Sequence, residues 1–227
     1  LLAKPAEKRH AFLFAGLRAL DADLRQLGSK LILRRGEPVT ELHRLSVECG
    51  ADGVFAEQDI SPYALRRDAA VAERLNLHLV HGLSVHPVTA IAQSDGKPYT
   101  VFTPYSRAWK ALPFNEHLVP APAAMPPVPD LASVELPDLA SPEYFPAGEY
   151  EAHRRLDAFL DRPIFAYGSG RDRLDQAGTS SLSPYLRFGM LSVRQAASAA
   201  RQAAGLAADA STRMGVETWL NELIWRE

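Results

Sequence analysis

The chain has 227 residues, with 25 Lys and Arg against 27 Asp and Glu and a formal net charge of −2. Hydrophobic residues make up 47% and charged residues 23%, which excludes a disordered tail, a collagen-like chain and a highly basic nucleic-acid coat. No apolar run approaches the ~20 residues of a membrane span, and the single cysteine, Cys49, excludes an internal disulfide and suits a reducing, cytoplasmic compartment. The start, Leu1-Leu2-Ala3-Lys4-Pro5, has neither an initiator Met nor the apolar core of a signal peptide.

Charge is uneven along the chain. Residues 1–112 hold 15 basic and 12 acidic residues, a net of +3. Residues 113–153 hold seven acids and no Lys or Arg, and residues 154–227 hold ten Arg and eight acids, a net of +2. The acidic stretch also carries nine of the 17 prolines. Proline removes backbone donors and biases the preceding residue toward extended structure, so regular helix or central strand is excluded there. Residues 113–149 are therefore expected to connect two domains, 1–112 and 150–227, and to lie across the surface of both.

In the first domain Leu13, Leu17, Leu20, Leu24 and Leu27 form the apolar stripe of an amphipathic helix, with Gly28 just past its end. Leu31-Ile32-Leu33 predicts a short buried strand. Pro38 opens a second helix with Val39, Leu42, Leu45 and Cys49 on one face, closed by Gly50, and Cys49 is expected to be a small core residue. Val54-Phe55-Ala56 predicts the next strand. Ser61-Pro62 caps a helix running to about Leu75, and Leu77-His78-Leu79-Val80 predicts a third strand. The strands begin 23 residues apart each time, as βαβ crossovers in a Rossmann-like parallel sheet require. Neither Gly-x-Gly-x-x-Gly nor Gly-x-x-x-x-Gly-Lys occurs, which excludes a plain dinucleotide-binding or P-loop reading.

The second domain reads as all-helical. Tyr150 to Leu160 is one helix; Ser192 with Gln195 suggests a capping box for the Ala-rich stretch up to Ala204. In the unbroken segment from Glu217 to Arg226, Trp219, Glu222 and Arg226 share a face with Trp225 flanking it, while Leu220, Leu223 and Ile224 form a separate apolar stripe. Glu222 is the notable residue, because a buried carboxylate without a partner is costly. The run from Gly178 to Pro184 has two readings: an ordinary polar loop, or a cradle whose N–H groups and hydroxyls face an anion at a helix start. Trp219 and Trp225 could equally be core residues, and Arg171 and Arg173 ordinary solvated charges. The seven histidines show no ligand spacing, so no metal site is expected.

Three stretches carry a resemblance: Gly178-Thr179-Ser180-Ser181-Leu182-Ser183-Pro184-Tyr185-Leu186; Gly189-x-Leu191-Ser192-x-Arg194; and Trp219-Leu220-Asn221-Glu222-Leu223-Ile224-Trp225-Arg226-Glu227. They resemble the DNA photolyase/cryptochrome family, nearest to class I cyclobutane pyrimidine dimer photolyases. The first domain agrees through Leu33-x-Arg35-Gly36-x-Pro38, Ser61-Pro62-Tyr63-Ala64 with Arg66-Arg67-Asp68, and Val101-Phe102-Thr103-Pro104-Tyr105. The resemblance implies FAD bound in the helical domain by Tyr167, by the loop Thr179, Ser180, Ser181, Leu182 and Ser183 cradling its phosphates, and by Trp219. It implies that Glu222 and Trp225 meet a flipped-out dimer, and that Arg171 and Arg226 contact DNA. The implied reaction is light-driven: FAD supplies an electron that splits the dimer, and the protein supplies orientation and electrostatics. The implied partner is damaged DNA, met by a monomer.

An antenna chromophore, a deazaflavin or a folate, is implied as well. Tyr63-Ala64 stands where folate-using members carry Asn-Glu, which leaves deazaflavin, another flavin or no antenna open. Two departures accompany the resemblance: the Trp-Phe-Arg-x-Asp-Leu-Arg pattern of the family's start is missing, and relatives continue about as far again past Trp225-Arg226-Glu227. The expectation is a fragment with one wall of the flavin pocket that does not by itself retain FAD. The rival readings are a cryptochrome-type blue-light photoreceptor and a non-catalytic remnant. Glu222 beside Trp225 favours repair, because (6-4) photolyases and animal-type cryptochromes tend to carry Gln at the first position.

Overall fold

The structure, a computed structural model, describes residues 7–113, 118–139 and 143–227. Parts of the expected connection over 113–149, and the first residues of the 1–112 domain, lie outside the described residues. The chain divides into two compact units that do not follow chain order: Leu1–Leu83 with Pro120–Gly148, and Ser84–Val119 with Glu149–Glu227. The α/β unit thus ends earlier than residue 112, and Ser84–Val119 belongs with the helices.

The first unit contains α1 (Glu7–Gln26), α2 (Pro38–Cys49), β1 (Val54–Glu57), α3 (Pro62–Ala72) and β2 (Leu77–Val80). Strands β1 and β2 run parallel in the register Val54↔Leu77 to Glu57↔Val80. The starts and stops have local causes. The Glu37 carboxylate accepts from Val39 N at 3.2 Å and Thr40 N at 2.8 Å, and Gly50 ends α2 at φ 66, where a Cβ is disfavoured. Ser61 Oγ accepts from Ala64 N at 3.3 Å to start α3.

Three expectations are corrected in this unit. Leu31–Leu33 forms no strand; among the described residues the sheet has two strands. The backbone of that segment is engaged elsewhere. Leu31 N donates to Asp21 Oδ1 (2.8 Å), Leu33 N to Ser133 Oγ (2.9 Å), and Leu33 O accepts from Val134 N (2.9 Å). Second, the buried face of α1 is Ala11, Phe12, Phe14 and Gly16; the leucine stripe is half-buried or, at Leu20, exposed. Third, α2 buries no residue fully, so Cys49 is half-buried and not core.

The Pro-rich stretch groups with this first unit alone over Pro120–Gly148, and its described part has no helix or strand. Its polar groups lie against α1 and the turn that follows it. Met125 N donates to Leu27 O (2.8 Å), and the Arg18 guanidinium donates to Pro137 O (3.0 Å) and Leu139 O (3.1 Å). A proline-rich chain cannot satisfy itself with a ladder, so it borrows acceptors and donors from its neighbour.

The second unit contains α4 (Phe102–Ala111), α5 (Glu149–Asp161), a 3₁₀ turn (Pro163–Ala166), α6 (Tyr167–Gly170), α7 (Ser183–Arg187), α8 (Val193–Leu206) and α9 (Ala210–Trp225). Its core is dense. Ala196, Ala197, Ala200 and Ala203 line the buried face of α8, and Ile164, Leu182, Tyr185, Val216 and Ile224 are almost wholly buried. Small residues let backbones approach. A Cβ on Gly215 of α9 would lie 2.3 Å from Phe165 O, so only glycine permits this packing of α9 on the 3₁₀ turn. Ser192 precedes α8 but makes no side-chain cap, which corrects the expected capping box: the Gln195 amide lies 3.2 Å from His153 Nδ1 instead. No described helix is long and apolar enough to cross a membrane.

Candidate functional site

Helix α9 organises the site. It begins with a reciprocal cap: the Asp209 carboxylate accepts from Thr212 N (2.8 Å), and Asp209 N donates to Thr212 Oγ1 (3.1 Å). Val216, Leu220, Leu223 and Ile224 are buried. That packing fixes the rotation of the helix, so Trp219 points inward at 3% exposure while Glu222 and Trp225 are exposed.

Trp219 packs into an aromatic cluster. Its ring centroid lies 5.1 Å from Phe159 of α5, and Phe159 meets Tyr167 edge-on at 5.8 Å. Tyr167 opens α6 and is buried, which pushes its phenol up from the ordinary value. Arg171 follows α6. Its guanidinium sits 6.0 Å from the Tyr167 ring centroid and donates through Nη1 to Glu222 Oε1 at 2.6 Å. That hydrogen bond raises the pKa of Arg171 and keeps it charged. Glu222 is thus neither buried nor unpartnered; its side chain is 41% exposed and paired. Arg173 pairs with Asp175 (2.6 Å), a contact outside this cluster.

The loop 179–183 starts against the end of α6. A Cβ on Gly178 would meet Gly170 O at 2.2 Å, so glycine here lets the loop begin beside the Tyr167–Arg171 segment. Ser181 adopts φ 52, a left-handed turn that is uncommon for a residue with a side chain. Among the described residues no N–H of residues 179–183 donates to another backbone group outside a helix. Leu182, fully buried, anchors the loop and offers no side-chain cap to α7. Thr179 and Ser183 are exposed and Ser180 and Ser181 half-buried, so these donors face solvent at the start of α7.

Trp225 lies apart from the aromatic cluster. It is 61% exposed, and its ring stacks on Phe102 of α4 at 4.0 Å between centroids and 4° between planes. Both line a cavity of about 310 Å³ together with Tyr99, Tyr105, Ile224 and Glu227. The Glu227 carboxylate accepts from Trp109 Nε1 (2.7 Å) and from Val85 N, and burial pushes its pKa up. Arg226 is turned to α7, donating to Leu186 O at 3.0 Å, so the expected common face of Trp219, Glu222 and Arg226 is not formed.

Of the residues singled out in the sequence, the structure joins Tyr167, Arg171, Glu222 and Trp219 into one network, through Phe159. It sets the loop 179–183 beside α6 and leaves Trp225 and Arg226 on contacts of their own. Sequence reasoning missed Phe159, Phe102 and the Glu227–Trp109 pair. Phe102 stood in a noted motif, but nothing in the sequence joins it to a residue 123 positions later. In the first unit Tyr63 is exposed under the Arg67 guanidinium (5.8 Å), and Arg67 Nε donates to the buried Asp68 at 2.7 Å. No group of three or more His, Cys, Asp or Glu among the described residues is placed to hold a metal ion.

A family model described as DNA photolyase matches residues 2–127. The chain is 33% identical, over 98% of its length, to an uncharacterized 31.6 kDa protein of Synechococcus sp. (strain PCC 6716) and covers 83% of that protein. It is 36% identical, over 96% of its length, to a deoxyribodipyrimidine photo-lyase of Streptomyces griseus and covers 48% of it. The chain thus spans about half the length of the curated photolyases it matches. Among solved structures, a bacterial class III photolyase from Agrobacterium tumefaciens superposes with a TM-score of 0.83 at 26% identity, over 98% of this chain and 50% of that one.

Proposed function

We propose, from the premise that this chain belongs to the DNA photolyase family, that it serves light-dependent repair of cyclobutane pyrimidine dimers in DNA, as a cytoplasmic monomer with FAD as cofactor. The observation that carries the reading is the solvent-facing donor set of residues 179–183, beside a network that presents a carboxylate and, on the same helix, an exposed indole. The loop suits the diphosphate of a flavin dinucleotide, because solvent-facing N–H groups and hydroxyls at a helix start can exchange water for the stronger, charge-assisted bonds of an anion. When bound, FAD supplies the light-excited electron that the splitting of a cyclobutane ring requires.

The residues of this chain bind and orient. Thr179, Ser180, Ser181 and Ser183 offer hydroxyls to the phosphates, and the Leu182 side chain keeps the loop in place. Tyr167 and Trp219 back the pocket from within the aromatic cluster, since their rings are buried against Phe159. Glu222 keeps acceptor capacity beyond its bond to Arg171 and can take a hydrogen bond from the imide edge of a thymine. Trp225 offers an aromatic surface to a base taken out of the stack. Arg171 supplies positive charge for a backbone phosphate, and Arg226 holds the end of α7.

A chimera tests the reading. These 227 residues would replace the matching half of the Streptomyces griseus deoxyribodipyrimidine photo-lyase, and flavin retention and blue-light repair of an oligonucleotide with one thymine dimer would be measured. Repair that is lost in the chimera carrying Glu222→Ala and weakened in the one carrying Ser181→Ala is expected. A folded chimera that retains no flavin, or repairs equally well with Glu222→Ala, overturns it.

A further inference from the structure

We propose that Phe102 is a positioning residue for Trp225: it backs one face of the indole and so presents the opposite face, preformed, as the surface on which an unstacked base lands. The inference deepens the reading of Trp225 given above and rests on it. Its geometry is independent of that reading. A tryptophan that is 61% exposed ordinarily has several rotamers open to it, and fixing one on binding costs free energy. Here the ring lies parallel to Phe102, 4° apart in plane and 4.0 Å between centroids. With one face covered and most of the residue still exposed, the other face is open to solvent.

Phe102 is itself well held. It is the first residue of α4, whose last turn is tied to the middle of α9 by the Lys110–Glu217 ion pair (2.7 Å), and Trp109 of the same helix donates to Glu227, two residues after Trp225. The backing ring and the backed ring therefore sit on two helices held together by two further contacts. The cavity of about 310 Å³ explains why a backing ring is required. It lies beside the stack and is lined by Tyr99, Tyr105 and Ile224. Without Phe102 the indole has an apolar hollow to fall into, which would take its open face out of reach of a base.

The test has two arms on the 227-residue chain. In the first, the Trp225 indole N–H is followed by ¹⁵N NMR, assigned with Trp225→Phe. The wild-type indole is expected to show the order of a rigid side chain. Phe102→Ala should shift its resonance and change its dynamics, and Phe102→Tyr should restore both. An indole unchanged by Phe102→Ala overturns the inference. The second arm measures affinity for an oligonucleotide with one thymine cyclobutane dimer. Phe102→Ala should weaken it about tenfold, a part of the stacking contribution of one base, and should have no effect in a Trp225→Ala background. An equal loss in both backgrounds means that Phe102 acts through general stability, and overturns the inference. A wild-type chain that does not distinguish damaged from undamaged oligonucleotide counts against the repair reading, and the NMR arm then decides the role of Phe102 alone.

Discussion

The two compact units are of almost equal length and differ sharply in what they bury. Among the described residues the α/β unit has five fully buried hydrophobic residues, Ala11, Phe12, Phe14, Ala64 and Val71, whereas the helical unit has twenty-three. The α/β unit leaves Phe55 of β1 74% exposed, stacked only on His78 at 4.7 Å, with Leu79 and Val80 of β2 exposed as well. Burial of apolar surface contributes about 25 cal/mol per Å² removed from water. The helical unit therefore carries most of the hydrophobic stabilisation, and every residue of the candidate site stands on it. A site that must hold donors and rings in place benefits from rigid, well-packed support.

Overpacking the dense unit gives the largest expected effect. Gly215→Ala would set a methyl 2.3 Å from Phe165 O, a backbone atom that cannot swing aside. The gain in helix propensity is about 1 kcal/mol, and the clash outweighs it, for an expected net loss of about 2 kcal/mol or more. Denaturant titration of the helical unit checks this, and a neutral or stabilised variant would show that its core is looser than its burial implies.

A slightly smaller change probes the thin unit. Val71→Ala removes two methyls from a side chain that is 2% exposed, an expected cost of about 2 kcal/mol. In a unit with so little core, that cost should abolish slow amide exchange across β1, β2 and α3. Protection in α8 and α9 should persist. Loss of protection in both units together would mean that they fold as one cooperative body, and the contrast drawn above would fail.

The smallest effect is electrostatic. The Glu151 carboxyl accepts from Arg154 Nε (2.7 Å) and Arg155 Nε (2.7 Å), and these guanidinium groups, Arg154 foremost, hold its pKa down at about 2 from 4.5. A carboxyl with a depressed folded pKa contributes stability above its unfolded value. That stability is lost as pH falls from about 4.5 toward 2. Glu151→Gln should remove this part of the acid sensitivity of the helical unit, costing stability above about pH 4.5 and leaving it almost unchanged only below about pH 2. Identical acid-unfolding curves for the two chains would show that the pair is too well solvated to matter.

Local chemistry was legible wherever it is decided by neighbours in sequence. Pro38, Ser61 and Gly50 bound their helices through ring, side-chain or φ preferences set within four residues, and Val54 and Leu77 begin strands where the apolar runs stand. Leu31–Leu33 has the same apolar character and forms no strand, because a strand needs a partner and its donors went to Asp21 and Ser133. Ser192 and Gln195 had the spacing of a cap, but the side chain of Gln195 found His153. Pairing of this kind depends on what the rest of the chain brings near, and spacing alone carries no information about it.

The same division holds at the site. The order of residues from Gly178 to Ser183 and from Trp219 to Glu227 was enough to mark the family and to single out a loop with polar donors and a helix with a carboxylate between two indoles. Tertiary packing alone decided what each group does. The buried stripe Val216, Leu220, Leu223 and Ile224 set the rotation of α9, and with it turned Trp219 in and Trp225 out. Phe102 lies under Trp225, Arg171 on Glu222 and Glu227 on Trp109 across separations of 51 to 123 residues. Contacts at such distances depend on how whole helices pack, and helix packing is a property of the assembled core.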